Sequence, residues 1–248
     1  MVHKRTLDAK EKYEGAVFKT NNYGDVIVLE YVNSNKVLIK FINTAEQKWT
    51  TIANLKSGGL RSKKGYTEEG KQNSRLRKSA RSKHKGMFDR CYNPKYSDRY
   101  PTYKDCIISE SFKNLDFFYE WCLDQVGFGN ENWHLDKDIL IKGNKIYSED
   151  TCCFVPREIN LALVNQKSSR GLLPLGVSYN RTFNLYYSRV RKHNKTVDLG
   201  FYTTPEDAFL AYKQAKESYL KELANKWKDK IDSRVYDALM NWTIEITD

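Results

Sequence analysis

Three side chains able to bind a cation or move a proton stand two residues apart in the segment Trp133–Tyr147: His134, Asp136 and Asp138. In an extended strand that spacing puts all three on one face. An imidazole beside two carboxylates suits general acid–base work and the binding of a hard cation. Each also has a plainer reading: His134, next to Trp133, as an ordinary half-buried histidine, and Asp136 with Asp138 as a solvent-facing pair answering Lys137 or Lys142. A second kind of chemistry is electrostatic. Between Lys56 and Arg90 twelve Lys and Arg stand against three acids, so this segment carries +9 of the chain's net +11. Its basic residues include Arg75, Arg77, Lys78, Arg81, Lys83, Lys85 and Arg90, and large apolar residues are scarce. Such a run is expected to be an arm that does not fold alone and that follows a phosphate backbone with salt-dependent affinity; the plain alternative is a solvated linker. Cys152 and Cys153 read as buried core, and with no C-x-x-C or matching histidine pair, structural zinc is not expected.

Three blocks must position these groups. In residues 1–60, Val26–Val32 and Lys36–Ile42 are β-branched runs joined by Asn33-Ser34-Asn35, a hairpin with turn chemistry at its join. Flanking runs at Phe18–Gly24 and Lys48–Ile52 supply outer strands, and a small SH3-like barrel is the expectation. Residues 61–85 are the basic linker. From 86 to 170 the pattern is mixed: an apolar stripe over Ser111–Val126 has helical period, Trp133–Tyr147 reads as two short strands around Lys142-Gly143-Asn144, and a helix follows. That helix opens either at Ser148/Thr151 or at Pro156, whose ring suits a first turn. Asp136 at one end of this strand, turn, strand and helix and Asn160 at the other give a ββα layout typical of metal sites. Residues 171–225 hold three strands, around Gly176–Tyr179, Leu185–Arg191 and Thr196–Tyr202. Thr204-Pro205-Glu206-Asp207 then starts a helix with an N-cap, a proline in the first turn and acids against the dipole. Strand alternation turns Val177, Tyr186, Ser188, Val190 and Leu199 towards that helix. It leaves Ser178, Asn180, Tyr187, Arg189, Arg191 and Asp198 on an uncovered face. Residues 226–248 are expected to add a helix and a short terminal strand. The fold class is thus α+β, in several domains.

Two parts of the chain resemble known families. Arg90–Lys95, Tyr100–Tyr103, Leu135–Asp138, Asn144, Tyr147-Ser148 and Cys152–Asn160 are similar to the bacteriophage HNH (His-Me finger) homing endonucleases. The last sheet and helix, with Leu199–Ala208 and Ala211-Tyr212, resemble the Apetala/ethylene-response-factor DNA-binding domain. The first resemblance implies hydrolysis of DNA with one divalent cation, usually Mg²⁺, in the cytoplasm of an infected bacterial host. It puts Asp136 and Asn160 at the positions of the metal ligands, and Lys137 where the base histidine usually stands, with His134 or Asp138 as substitutes. Thr151 takes the place of a structural asparagine. The second resemblance implies that the uncovered sheet face lies in the major groove of double-stranded DNA, where arginines pair with guanine and Asn180 reads adenine.

Composition bounds these readings. The longest apolar runs, Val26–Val32 and Val37–Ile42, are far too short to span a bilayer as helices. Aromatic residues make up 13% of the 248, enough for real cores, which excludes a wholly disordered chain. No signal-peptide pattern is evident, and five cysteines, two of them adjacent, suit a reducing cytosol. The expected partner is a polyanion, with no small-molecule cofactor. Two functions follow: a site-recognising DNA endonuclease, or a DNA-binding, regulatory protein whose nuclease block has lost its base. A purely protein-binding module is a weaker third.

Overall fold

The computed structural model describes residues 2–164 and 173–248. The chain divides into two compact units, Met1–Ser79 and Ala80–Asp248, and the fold is α+β. Among the described residues no helix is long and apolar enough to cross a membrane.

The first unit begins with helix α1 (Val2–Tyr13) and continues into the strands β1 (Val17–Lys19), β2 (Asp25–Asn33), β3 (Lys36–Phe41) and β4 (Gln47–Thr50). All three pairings are antiparallel, in the order β1-β2-β3-β4. Alternation buries Val26, Val28, Val37, Ile39 and Phe41 against helix α2 (Ile52–Ser57), whose Ile52 and Leu55 complete the core. Two bulges in β2 leave Leu29 and Val32 unpaired and exposed. The expected SH3-like barrel does not close. β1 and β4 do not pair among the described residues, because both are short and α2 covers the apolar side instead.

The basic arm is mostly helix. α3 runs from Glu68 to Tyr92, and the boundary between the units falls within it. Thr67 Oγ1 accepts from the Gly70 N–H at 3.0 Å as an N-cap, and Glu68 and Glu69 oppose the dipole. Although apolar residues are few, they are spaced for one face: Ala80 and Met87 are buried, and His84 and Phe88 pack between them. The count that suggests an unfolded arm misses this period.

In the second unit, after the short helix α4 (Pro94–Arg99), helices α5 (Glu110–Lys113) and α6 (Leu115–Leu123) contribute Phe112, Phe118 and Trp121 to an aromatic cluster that Phe154 joins. The two short strands expected around Lys142–Asn144 do not pair with each other. β6 (Trp133–Asp136) pairs antiparallel with β8 (Cys153–Pro156), and β7 (Ile146–Tyr147) pairs in parallel with β5 (Ile107–Ile108). Helix α7 spans Arg157–Leu163 with Pro156 at its N-cap, the later of the two expected starts.

The C-terminal sheet has the order β11-β10-β9, with β9 at Val177–Asn180, β10 at Leu185–Lys192 and β11 at Lys195–Tyr202. The expected boundary at 170/171 lies outside the described residues. Helix α8 (Pro205–Trp227) is capped by Thr204 as its sequence demands. Its first half, with Ala208, Phe209 and Tyr212, packs on this sheet. Its second half, with Tyr219, Leu220, Leu223 and Ala224, packs on Ile139, Val155, Ile159 and helix α9 (Ser233–Met240). One helix therefore serves two cores. The expected terminal strand is absent, and Ile244 instead plugs the sheet's core.

Candidate active-site cleft

β6, β8 and α7 form the ββα unit, with Asp136 paired to Cys153 and His134 to Val155 across the two strands. β8 is buried along its length while β6 exposes one face. That face, the side of α3 carrying Ser82, Lys83, Gly86 and Arg90, and Asn160 from α7 enclose a cleft of about 310 Å³. The spacing of those α3 residues is one helical face. Arg75, Arg77, Lys78, Arg81 and Lys85 are exposed, whereas Lys83 and Arg90 turn to the cleft. Lys83 Nζ donates to the Trp133 carbonyl at 3.1 Å. Burial, then the charge of Arg90, pulls the Lys83 ammonium below the usual lysine range. Arg90 bonds Tyr147 and lies over the Tyr103 ring, 5.6 Å from its centroid.

Asp136 closes the strand with a local turn: its Oδ1 accepts the N–H of Asp138 and of Ile139, both at 2.9 Å. Burial, followed by the charge of Asp138 and a carboxyl–carboxyl hydrogen bond, raises its pKa from 3.8 to about 7. His134 meets Asn160, with the amide Nδ2 and ring Nδ1 at 2.8 Å. With that amide as donor, Nδ1 accepts and Nε2 carries the hydrogen, so the ring presents a donor to the cleft. Burial, and then Lys83, Arg157 and Arg90, lowers the His134 pKa, which favours the neutral ring.

Lys137 is 5% exposed. Its Nζ donates to the Asn144 carbonyl at 2.7 Å and to Asp138 Oδ2 at 3.1 Å. The Asn144 amide answers with 2.7 Å bonds to the carbonyls of Lys137 and Ile146, and Thr151 Oγ1 donates to Ile146 O at 2.7 Å. Together these bonds clamp the loop between β6 and β7. A lysine so occupied holds the loop and is not free to act as a base.

Asp136, Asp138 and Asn160 Oδ1 supply oxygen donors of the kind Mg²⁺ takes, one or two carboxylates with the remainder water. Two carboxyls sharing a hydrogen bond in a cleft lined by cations are chemically suited to exchanging a proton for a metal. No group of three or more His, Cys, Asp or Glu converges among the described residues, so the set is sparse. The five cysteines are free thiols, and burial, the first of its causes, pushes that of Cys152 up to about 12.

On the C-terminal sheet, Ser178, Tyr187, Arg189, Arg191 and Asp198 lie on the face away from α8, where Val177, Ser188 and Val190 are buried. Arg189 Nε donates to Asp198 at 2.6 Å, and its guanidinium stacks 4.7 Å from the Tyr187 centroid. Asn180 is engaged locally: its Oδ1 accepts the N–H of Thr182 at 2.9 Å and of Phe183 at 3.1 Å, fixing the β9–β10 turn. That use conflicts with bidentate reading of adenine. The sequence reading gave no role to Tyr103 and Tyr147, which line the cleft, or to Phe201 on the sheet and Phe183 in the β9–β10 turn. Nothing local gives the tyrosines a place in the cleft, Phe201 needed the exact strand register, and Phe183 stands in a turn outside the alternation. No family model, curated protein or solved structure matches the chain.

Proposed function

We propose that the protein is a metal-dependent DNA endonuclease of the HNH type. The observation that carries the reading is that Asp136, Asp138, His134 and Asn160 line one cleft together with Lys83 and Arg90. Cations flanking a carboxylate pair suit a phosphodiester, the arginine and lysine taking the phosphate oxygens. In this reading Asp136 and Asn160 hold a divalent ion, usually Mg²⁺, which would stabilise the leaving oxygen. His134 Nε2–H hydrogen-bonds a phosphate oxygen. Water adds across one P–O bond: its oxygen joins phosphorus, its proton passes to Asp138, and the leaving oxygen takes a proton from solvent. Asp138 is the base because Lys137 is committed to the loop and His134 presents a hydrogen. The exposed basic side of α3 follows the backbone, and the outer face of the β9–β11 sheet reads sequence in double-stranded DNA.

The second reading, a DNA-binding protein with a silent nuclease block, draws support from Lys137, which occupies the usual base position and is buried in structural bonds. Incubation with phage and host DNA and Mg²⁺, beside Asp136→Ala and Asn160→Ala, separates the two. Cleavage by the wild type alone is expected. Binding without cleavage favours the second reading, and cleavage undiminished in both variants overturns the assignment of the site.

A further inference from the structure

We propose that Phe183, Phe201 and Tyr187 on the outer sheet face recognise thymine methyl groups in the major groove, an inference that rests on the DNA-binding reading above. Phe183 is 64% and Phe201 55% exposed, yet their rings touch, with centroids 5.8 Å apart, and Tyr187 continues the patch 6.0 Å from Phe201. Scattered exposed apolar residues need no explanation, but a contiguous aromatic patch does.

The backbone shows how Phe201 comes to be there. Arg189 pairs with Asp198 and Ser188 with Gly200, so Leu199 is an extra residue in β11, a bulge. Strict alternation from Asp198 would turn Phe201 towards α8, because a one-residue slip exchanges the two faces. The bulge, with Gly200 at φ +121°, reverses this: Phe201 points outward opposite Tyr187, while Leu199 packs inward. The conformation at Gly200 is one that side-chain-bearing residues rarely adopt.

What would cover the patch follows from its rim. Arg189, held by Asp198 and Tyr187, stands beside the rings along β10, and Arg191 follows two residues further on the same face. An apolar patch with arginines along one edge complements a surface that presents anionic groups beside an apolar one. The thymine C5-methyl is the apolar group that base edges present in the major groove. The rings thus distinguish thymine from cytosine while the arginines take guanine or phosphate.

The test uses the full chain in EDTA, so that nothing is cut. Duplexes retained from a random pool are sequenced and resynthesised with deoxyuridine for thymidine, which removes only the methyl. Each contacted thymine replaced is expected to weaken binding about three- to fivefold, the effect of one methyl leaving an apolar contact. Phe183→Ala/Phe201→Ala should bind the thymidine and deoxyuridine duplexes equally, and should bind the latter about as well as the wild type does. Since both rings are exposed, circular dichroism of the variant should match the wild type. Equal wild-type affinity for the two duplexes overturns the proposal alone, as does discrimination that survives in the variant. Failure to retain any duplex overturns the DNA-binding reading and this inference with it, leaving a protein partner for the patch.

Discussion

Replacing Asp136 by asparagine should make the metal-free protein more stable, although it removes the carboxylate proposed above as a metal ligand. The substitution preserves the Oδ1 acceptor for the N–H groups of Asp138 and Ile139 and takes away a charge that burial and Asp138 disfavour. An acid whose pKa is higher in the folded than in the unfolded chain holds its proton more tightly when folded. Its contribution is therefore fully present below the unfolded value, and stability falls as pH rises between 3.8 and about 7, then stays level. A rise of that size, at 1.36 kcal/mol per pKa unit, sets a ceiling of about 4 kcal/mol. Because one side of the carboxyl opens to the cleft, the expected gain at about pH 8 is roughly 2–4 kcal/mol. For the second unit this is a rise in Tm of roughly 4 °C or more. Calorimetry in EDTA across the pH range measures it, and the difference between variant and wild type should vanish near pH 4. Mg²⁺ should then stabilise the wild type and leave the variant unchanged. A variant less stable than wild type at alkaline pH, or a gain that persists undiminished in acid, would refute the reasoning about this carboxyl.

In the proposed site Mg²⁺ would have to displace the Asp136 proton, so titration calorimetry should give an affinity that rises about tenfold per pH unit below about 7 and levels off above. Lys137→Met leaves the Asn144 carbonyl and Asp138 without their partner and should cost about 1–3 kcal/mol in urea unfolding; an unchanged midpoint would show that the clamp is dispensable. Removing Arg81 or Lys85 by alanine should reduce the slope of log affinity against log salt by about 0.9 each, whereas an unchanged slope would take α3 off the DNA backbone. Asp198→Ala frees Arg189 from its brace, and competition binding should show discrimination at one base pair falling by about 1–3 kcal/mol while affinity for random duplex holds.

How much of this was legible depended on how local each interaction is. The C-terminal sheet and helix could be read because Thr204, Pro205 and the acids after them act on backbone groups within one turn, and the strand faces follow simple alternation as far as Asp198. Beyond it the bulge at Leu199 reverses the pattern, so Phe201 was not found. β6 looked like half of a hairpin because its neighbour in sequence is apolar, but its partner β8 lies across a loop held by Lys137 and Asn144. No propensity encodes such a pairing. Asp136 was picked out by the resemblance to HNH endonucleases, and His134 by lying two residues before it on the same strand face. Their meeting with Asn160, Lys83 and Arg90 is tertiary, and the charge count that drew attention to α3 did not separate the two cleft-facing residues from the exposed ones.

Helix α8 joins the core under the β9–β11 sheet to the core of the ββα unit. At 1.5 Å per residue, its 23 residues extend about 34 Å. Phe209 and Tyr212 near one end are buried under the β9–β11 sheet, and Leu220 and Leu223 near the other lie against Val155 and Ile159 of the ββα unit. Close-packed interiors resist deformation and transmit strain, so a displacement of the sheet along α8 would have to open one core or the other. Flexible connection of a reading module to a cutting module spreads cleavage over many positions, because a linker sets only an average distance. A shared helix sets a single one. If the outer sheet face reads DNA and the cleft hydrolyses it, the offset between the bases contacted and the bond cut is thereby a property of the fold and does not depend on the basic residues of α3, which can bind phosphates at any register.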